Sequence, residues 1–314
     1  MSGEVRAAPP GLPFVSIVVT LDHDADLIER CLMSLERMSY PPDRRAIVIV
    51  SANASDPEAE PALRSHSGTY LRANGDGVAA ARNEGIRASG GDVVAFTDAD
   101  CLVSQSWLDE LVKPFAVAGV GAVAGEIVPY PGRTRVERYA ARRRSHSQAR
   151  PLGHVRRPFA MTPNVAFRRE VFDRVGAFDL RFPGGGWEDA DLCWRFLRLT
   201  DLELAYAPKA VVFHRYRATV RDFFVQHVRY GRGLALLHAK YSEELAWGWP
   251  ERRAAYAALG EAIGRLATTA ILRGTGRGDP VALDTAYFDV LRQLAQRLGF
   301  VGGRLTSRVR RTTA

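Results

Sequence analysis

Apolar and polar positions fall in blocks along this chain, and the blocks predict a series of strands and helices. Phe14 to Thr20 is a nearly unbroken apolar run and Ala46 to Val50 is another, both predicting buried strands. Between them Leu27, Ile28, Cys31, Leu32 and Leu35 recur at helical spacing, with Asp22, His23 and Asp24 as expected caps. Tyr40-Pro41-Pro42 ends that helix, so the segment reads as a parallel βαβ unit. Residues 51 to 61 read as a polar loop. Val78 to Ala88 predicts a helix of small residues, and the Gly90-Gly91-Asp92 turn feeds a buried strand from Val93. Ser104 is the expected N-cap of a helix burying Trp107, Leu108, Leu111, Val112 and Phe115, and Val120 to Val128 predicts a further strand. The alternation points to an α/β fold with a mostly parallel, doubly wound central sheet flanked by helices.

Past Tyr130-Pro131-Gly132 the rhythm changes. Arg133 to Arg150 has helical propensity and is heavily basic, as a solvated helix face also would be. A strand (Val165 to Arg168) and a short helix (Arg169 to Val175) follow, then turns at Gly176 to Asp179 and Phe182 to Gly186. Leu204 to Ala207 and Ala210 to Phe213 read as two strands ending at His214. Val220 to Tyr241 predicts a helix with Phe223, Phe224, Val228, Leu234 and Leu237 inward, and His227 on that side reads as a packed residue. Beyond Trp249-Pro250 two or three helices are expected, divided by a loop from Gly274 to Pro280. The expected organisation is a flexible tail (1–13), a main domain (14–241) and a C-terminal helical extension with a basic tail (242–314).

The composition is that of a globular protein, at 46% hydrophobic and 25% charged over 314 residues. No window reaches the ~18 uninterrupted apolar residues of a membrane span. The first residues carry no hydrophobic signal core, and Cys31, Cys101 and Cys193 form neither a metal-spaced nor an even set. A cytoplasmic protein with reduced thiols is expected. The net charge of +8 favours an anionic partner, which nucleic acid, an anionic membrane or a diphosphate would each satisfy.

Two acidic groupings carry candidate chemistry. Asp98 and Asp100 end the run Val93 to Asp100 at the carboxyl end of a strand, where open α/β sheets bind ligands, and hard oxygen ligands there suit Mg²⁺ or Mn²⁺. An isolated pair of this kind is more often a helix cap. The second grouping is Glu188, Asp189 and Asp191, behind Gly184-Gly185-Gly186 and Trp187. Acids at a helix start suit its dipole, yet three behind a triple glycine exceed what capping requires.

Taken in order, Gly77-Val78-Ala79-Ala80-Ala81-Arg82-Asn83-Glu84-Gly85-Ile86, Phe96-Thr97-Asp98-Ala99-Asp100, Asn164 to Glu170, and Trp187 to Leu192 with Arg195 resemble the family 2 glycosyltransferases of GT-A fold. The resemblance runs from about Phe14 to Tyr241. It implies a GT-A domain, a nucleotide-diphosphate sugar donor with UDP as the leading choice, a divalent metal (Mg²⁺ or Mn²⁺) and inversion at the anomeric carbon. It implies metal contacts from Asp98 and Asp100, with His214 matching a position where some members complete the metal shell. A surface role for His214 reads equally well. Asp189 is the implied general base, with Glu188 and Asp191 tuning it. Donor contacts are expected from Thr20, Asp22, Asn53, Arg82, Asp98 and Trp187.

Two departures touch the nucleotide pocket. Relatives usually place an acidic residue after the second strand to read the base, and this chain has Ser51 to Asp56, leaving Asn53 or Asp56 to substitute. After the first strand, Val19-Thr20-Leu21-Asp22 keeps only Thr20 of the usual pattern. A catalytically silent relative that binds nucleic acid or anionic membrane through its basic surface is the alternative from another class. A sugar-nucleotide-forming nucleotidyltransferase would open with a Gly-rich phosphate loop, which Leu21 to Asp24 does not resemble. In relatives the acceptor region involves the segment around Asn164, and Phe182 to Trp187 is an expected lid. The acceptor itself is unassigned (small molecule, peptide, glycan or lipid-linked), specific nucleic acid is not expected, and the basic segments offer peripheral contact with the inner membrane face.

Overall fold

The computed structural model describes residues 11–22, 27–52, 59–154, 157–182, 185–243, 245 and 248–312. In chain order the elements are β1 (Val15–Leu21), α1 (Ile28–Glu36), β2 (Arg45–Ser51), α2 (Glu60–Ser65), β3 (Thr69–Arg72), α3 (Val78–Ala88) and β4 (Val93–Asp98). Then come β5 (Cys101–Val103), α4 (Trp107–Val112), β6 (Val120–Pro129), α5 (Arg135–Arg143), α6 (Ala149–Leu152), β7 (Val165–Arg168), α7 (Arg169–Val175) and α8 (Glu188–Leu199). The chain closes with β8 (Glu203–His214), α9 (Val220–Lys240), α10 (Trp249–Gly274) and α11 (Pro280–Thr312). Among the described residues no helix is long and apolar enough to cross a membrane.

The strands form one sheet in the order β3-β2-β1-β4-β7-β6-β8-β5. β1 to β4 are parallel to their neighbours among themselves, and β6 is parallel to β8. β7 runs against both β4 and β6, and β5 runs against β8. This is a mixed α/β architecture with C-terminal helices.

By contact the chain divides into two compact units. The first comprises Met1–Tyr130, His146–Pro183 and Glu188–Arg215, and holds the sheet. On one sheet face Val15, Ile17, Val19 and Leu21 pack with Ile28, Cys31, Leu32 and Leu35 of α1 and Trp107, Leu108 and Leu111 of α4. The period-two pleat sends Val18 to the other face, under α3. A Cβ on Gly85 of that helix would lie 2.4 Å from Val18 Cγ1, so only glycine allows α3 this close to the sheet. The second unit comprises Pro131–Ser145, Gly184–Trp187 and Tyr216–Ala314. Its core joins Val136 and Tyr139 of α5, Phe223 of α9 and Phe288 of α11. There Asp289 accepts from Tyr139 Oη at 2.6 Å and from Arg143 Nε at 3.0 Å. His227 is buried with Nδ1 2.8 Å from the Phe223 carbonyl, and burial pushes its pKa down to about 4, as suits a packed neutral imidazole.

Several expectations change. α1 begins after Leu27 with no side-chain cap, Asp22 lies outside it, and His23 and Asp24 lie outside the described residues. Ser104 does not cap α4. Ser106 holds the N-cap position without a side-chain bond, while the Ser104 carbonyl accepts the Trp107 amide at 2.9 Å. α2, β3 and β5 were not expected, each being too short for an apolar period to develop. The two strands foreseen between 204 and 213 are one, β8, with a register shift against Gly125 and Glu126. Pro208 cannot donate to a ladder, and the irregularity accommodates it. The basic stretch from Arg133 to Arg150 is not one helix: α5, opened by a Thr134/Glu137 capping box, ends at Arg144 in the left-handed region at φ 47°, and α6 begins at Ala149.

Candidate active site

Strand order and register assemble the acidic residues at one edge of the sheet. Thr20, near the end of β1, is the register partner of Asp98 at the end of β4, and the Ala99 amide donates to the Thr20 carbonyl at 3.0 Å. The chain turns at once into β5, whose Cys101 pairs with His214 at the end of β8, while the Arg215 amide donates to the Asp100 carbonyl at 3.0 Å. This antiparallel closure brings Asp100 Oδ1 within 3.5 Å of His214 Nε2, both side chains being more than nine-tenths buried. His146 stacks on the His214 ring at 4.5 Å between centroids.

Arg82 joins the two acidic groupings. Its Nη1 donates to Glu188 Oε1 at 2.6 Å and its Nη2 to Asp98 Oδ1 at 3.3 Å. The guanidinium lies over the Phe178 ring at 5.7 Å, and Phe178 packs edge-on against Phe96 of β4. Asn83, the next residue, holds the same segment by donating to the Phe178 carbonyl at 2.8 Å and accepting its amide at 2.9 Å. The small residues of α3 thus deliver one arginine between two carboxylates. Burial works against its charge, but Asp98, Glu188 and Asp189 outweigh it and raise its pKa.

Asp189 lies in the first turn of α8, where the helix dipole favours a carboxylate. Burial and the neighbouring Glu188 charge win nonetheless, and push it up to about 7 against the pull of Arg82 and of the Ala190 and Thr162 amides. The Ala190 amide donates to its Oδ1 at 2.8 Å. A carboxylate poised near neutrality can hold or accept a proton at physiological pH. Asp191 is fully buried and pairs with Arg195 Nε at 2.9 Å, and that arginine donates onward to the Val175 and Ala177 carbonyls. Its place is to anchor α8 behind α7.

The other expected residues divide. Thr20 is buried, with a hydroxyl that lacks a partner, and Asp22 is half-buried just past β1. Asn53 and Asp56 lie outside the described residues. Trp187 belongs to the second unit, at φ 75°, with its indole N–H donating to the Tyr230 carbonyl at 3.0 Å. Of the expected lid, 183 and 184 lie outside the described residues. Asn164 is fully buried and takes three partners: Trp107 Nε1 donates to its Oδ1, and its Nδ2 donates to the Glu126 and Ala210 carbonyls, each at 2.8 Å. That amide is committed to the fold.

Two neighbours escaped the sequence reading. His146 falls in the basic stretch after α5, with no local pattern to mark it. Cys101 had a signal in hindsight, since Cys101-Leu102-Val103 is a short apolar run after the acidic pair. Its Sγ lies 3.5 Å from Asp100 Oδ1.

Carboxylates with one imidazole suit a divalent ion, and the chain's donors fit one. Asp100, Cys101 and His214 place ligand atoms within 4.8 Å of one another, all three buried. Asp98 is the register neighbour of the unsatisfied Thr20 hydroxyl, and Arg82 Nε is also buried without a partner. Such orphaned polar atoms beside an acidic edge fit a polar guest.

Residues 16–176 match the sequence profile of the family described as "Glycosyl transferase family 2". The chain is 30% identical over 300 residues to the pre-mycofactocin glycosyltransferase of Mycobacterium tuberculosis, covering 90% of this chain and 62% of that protein. The chain thus spans less than two thirds of that relative's length. Among solved structures it resembles a mannosyltransferase from Pyrobaculum calidifontis in complex with GDP-Man and Mn²⁺, at TM-score 0.64 and 22% identity, covering 96% of this chain and 90% of that one. It also resembles glucosyl-3-phosphoglycerate synthase from Mycobacterium tuberculosis in complex with Mn²⁺, UDP-Glc and phosphoglyceric acid, at TM-score 0.52 and 20% identity, covering 72% and 79% of the two chains.

Proposed function

The chain belongs to glycosyl transferase family 2, and from that membership we propose a metal-dependent, inverting glycosyltransferase that moves a sugar from a nucleotide-diphosphate donor to an acceptor hydroxyl. The observation that carries the proposal is the Arg82 clasp, which holds Asp98 and Glu188 on one guanidinium and sets Asp189 beside them. Two carboxylate groupings brought together this way serve the two ends of a displacement: one for the leaving diphosphate, one for the incoming hydroxyl.

Asp98, Asp100 and His214 would hold a divalent ion, which would supply Lewis-acid neutralisation of the charge growing on the leaving diphosphate. Asp189 takes the proton of the acceptor hydroxyl as its oxygen bonds to the anomeric carbon and the bond to the diphosphate oxygen breaks. One displacement with one base inverts the centre. Glu188 keeps Arg82 in place and, through its charge, keeps Asp189 basic enough for the task. Thr20, Asp22, Asn53 and Trp187 are the further donor contacts that this reading assigns. The mannosyltransferase holds GDP-Man and the synthase UDP-Glc, so both nucleotides belong in the first screen, UDP leading. Three unpaired cysteines favour a reducing, cytoplasmic setting, and the basic residues of α5 and of the C-terminal segment offer peripheral contact with an anionic membrane face.

The test is a thermal-shift screen of UDP-, GDP- and dTDP-sugars with and without Mn²⁺, followed by transfer assays on Asp189→Asn. Metal-dependent donor binding that survives Asp189→Asn while turnover is lost supports the proposal. Binding limited to nucleic acid or anionic vesicles, weakening steeply with salt and indifferent to Asp189→Asn, would replace it with the binding-protein reading.

A further inference from the structure

Cys101 sets a sulfur among donors otherwise suited to a hard cation. Its Sγ and the His214 Nε2 each lie 3.5 Å from Asp100 Oδ1. A tetrahedral zinc site with ordinary Zn–S, Zn–N and Zn–O bonds has ligand–ligand edges of roughly 3.4–3.6 Å. Two of the three edges already have that length, and the third atom pair is within 4.8 Å. Cys101 and His214 are direct partners across the β5–β8 ladder, so their side chains leave the same face. His146, stacked on His214, restrains the imidazole plane from behind.

We propose that Asp100, Cys101 and His214 form a mixed oxygen, sulfur and nitrogen site for a zinc-class divalent ion, overlapping the place of Mg²⁺ or Mn²⁺. Hard ions use the carboxylates and gain little from sulfur, whereas thiolate with imidazole selects borderline-soft ions. Binding releases the thiol proton to solvent and leaves a fourth position open. Zinc-class ions then compete with the activating ion for Asp100 and His214, and Cys101 decides how well. This rests on the reading of Asp100 and His214 as metal ligands, but not on sugar transfer.

Co²⁺ is the probe, because a thiolate ligand gives it a near-ultraviolet charge-transfer band that oxygen and nitrogen ligands do not. The full chain is titrated with Co²⁺ alone, as wild type, Cys101→Ser, Asp100→Asn, and a Cys31→Ser/Cys193→Ser chain that keeps only Cys101. The expected result is a band in wild type and in the Cys101-only chain, its loss in Cys101→Ser, and its displacement by Zn²⁺. Zinc affinity by chelator competition should fall at least about tenfold in Cys101→Ser, as the loss of even an outer-sphere partner often does. No band in wild type, or one that vanishes from the Cys101-only chain, overturns the proposal. A band without Mn²⁺-dependent nucleotide binding supports this site and counts against the transferase. Nucleotide binding without a band does the reverse.

Discussion

Arg82 and Glu188 lie 106 residues apart in sequence, and the arginine Nη1 donates to Glu188 Oε1 at 2.6 Å with both side chains almost wholly buried. The second arm, on Asp98, makes this one guanidinium the link between the end of β4 and the start of α8. One N–H on each arm is given to a carboxylate, and Nε is the buried donor still without a partner.

Removing the arginine should therefore cost more than a surface pair would. Arg82→Met takes the arginine away from the buried Glu188, and breaking such a pair costs about 3–5 kcal/mol. Urea denaturation should show that loss in the single variant and partial recovery in Arg82→Met/Glu188→Gln, where the stranded charge is gone. Equal destabilisation of both would mean the pairing is not what holds these elements together.

Asp189 gives a prediction in pH. Its pKa rises from an ordinary 3.8 to about 7, so between those values the folded chain keeps a proton that the unfolded chain has lost. The stabilising contribution is full below pH 3.8 and falls away as pH rises through about 7. Asp189→Asn lacks this slope, so its stability relative to wild type should improve with pH and exceed it above neutrality. In turnover the order reverses. Wild-type kcat/KM should climb toward a plateau above about pH 7, and the asparagine variant should lose about 10²–10⁴-fold without it. A flat wild-type profile between pH 5 and 8 would remove Asp189 from the role of base.

Much of this was legible in the sequence, for physical reasons. The runs at Phe14 to Thr20, Ala46 to Val50 and Val93 to Asp98 are strands buried on both faces, and such strands advertise themselves by continuous apolar character. Glu188, Asp189 and Asp191 stood out because three acids behind a triple glycine exceed what capping needs, and Asp98 and Asp100 because they end an apolar run where such sheets bind ligands. What was hidden depends on long-range pairing. β5 is three residues long and is defined by its ladder to β8, which brings Cys101 to His214, while His146 reaches the same ring from the chain after α5. The Arg82 bridge was hidden likewise, since nothing local in Ala81-Arg82-Asn83 says whether an arginine faces a ligand or a carboxylate.

Metal dependence can be read without an acceptor. A nucleotide at 100 times its dissociation constant stabilises the folded chain by about 2.7 kcal/mol. For a chain of this length that is a rise of several degrees in Tm, about 2–4 °C per kcal/mol. The rise should require Mn²⁺ or Mg²⁺, disappear with EDTA, and be lost in Asp100→Asn. His214→Gln should weaken it, because the glutamine offers a poorer donor at the same reach. An undiminished shift in His214→Gln would leave the imidazole as a structural neighbour of Asp100 alone.

Asn164 distinguishes a structural residue from a recognition residue within one motif. Its amide satisfies the Trp107 indole and two carbonyls, Glu126 and Ala210, on either side of the irregular register of β6 and β8. Each buried polar group left without a partner costs about 1–3 kcal/mol, so Asn164→Ala should lose at least about 3 kcal/mol of stability. Gly125→Ala attacks the same joint from the other side, because its Cβ would lie 2.4 Å from Asn164 Nδ2 and 2.5 Å from the Ala210 carbonyl. Both variants should shift the urea midpoint strongly, and the two losses should not add, since they break one set of bonds. Whatever fraction remains folded should bind nucleotide as wild type does. Unchanged stability in Asn164→Ala, with a raised KM for acceptor, would instead return this residue to the acceptor side of the reaction.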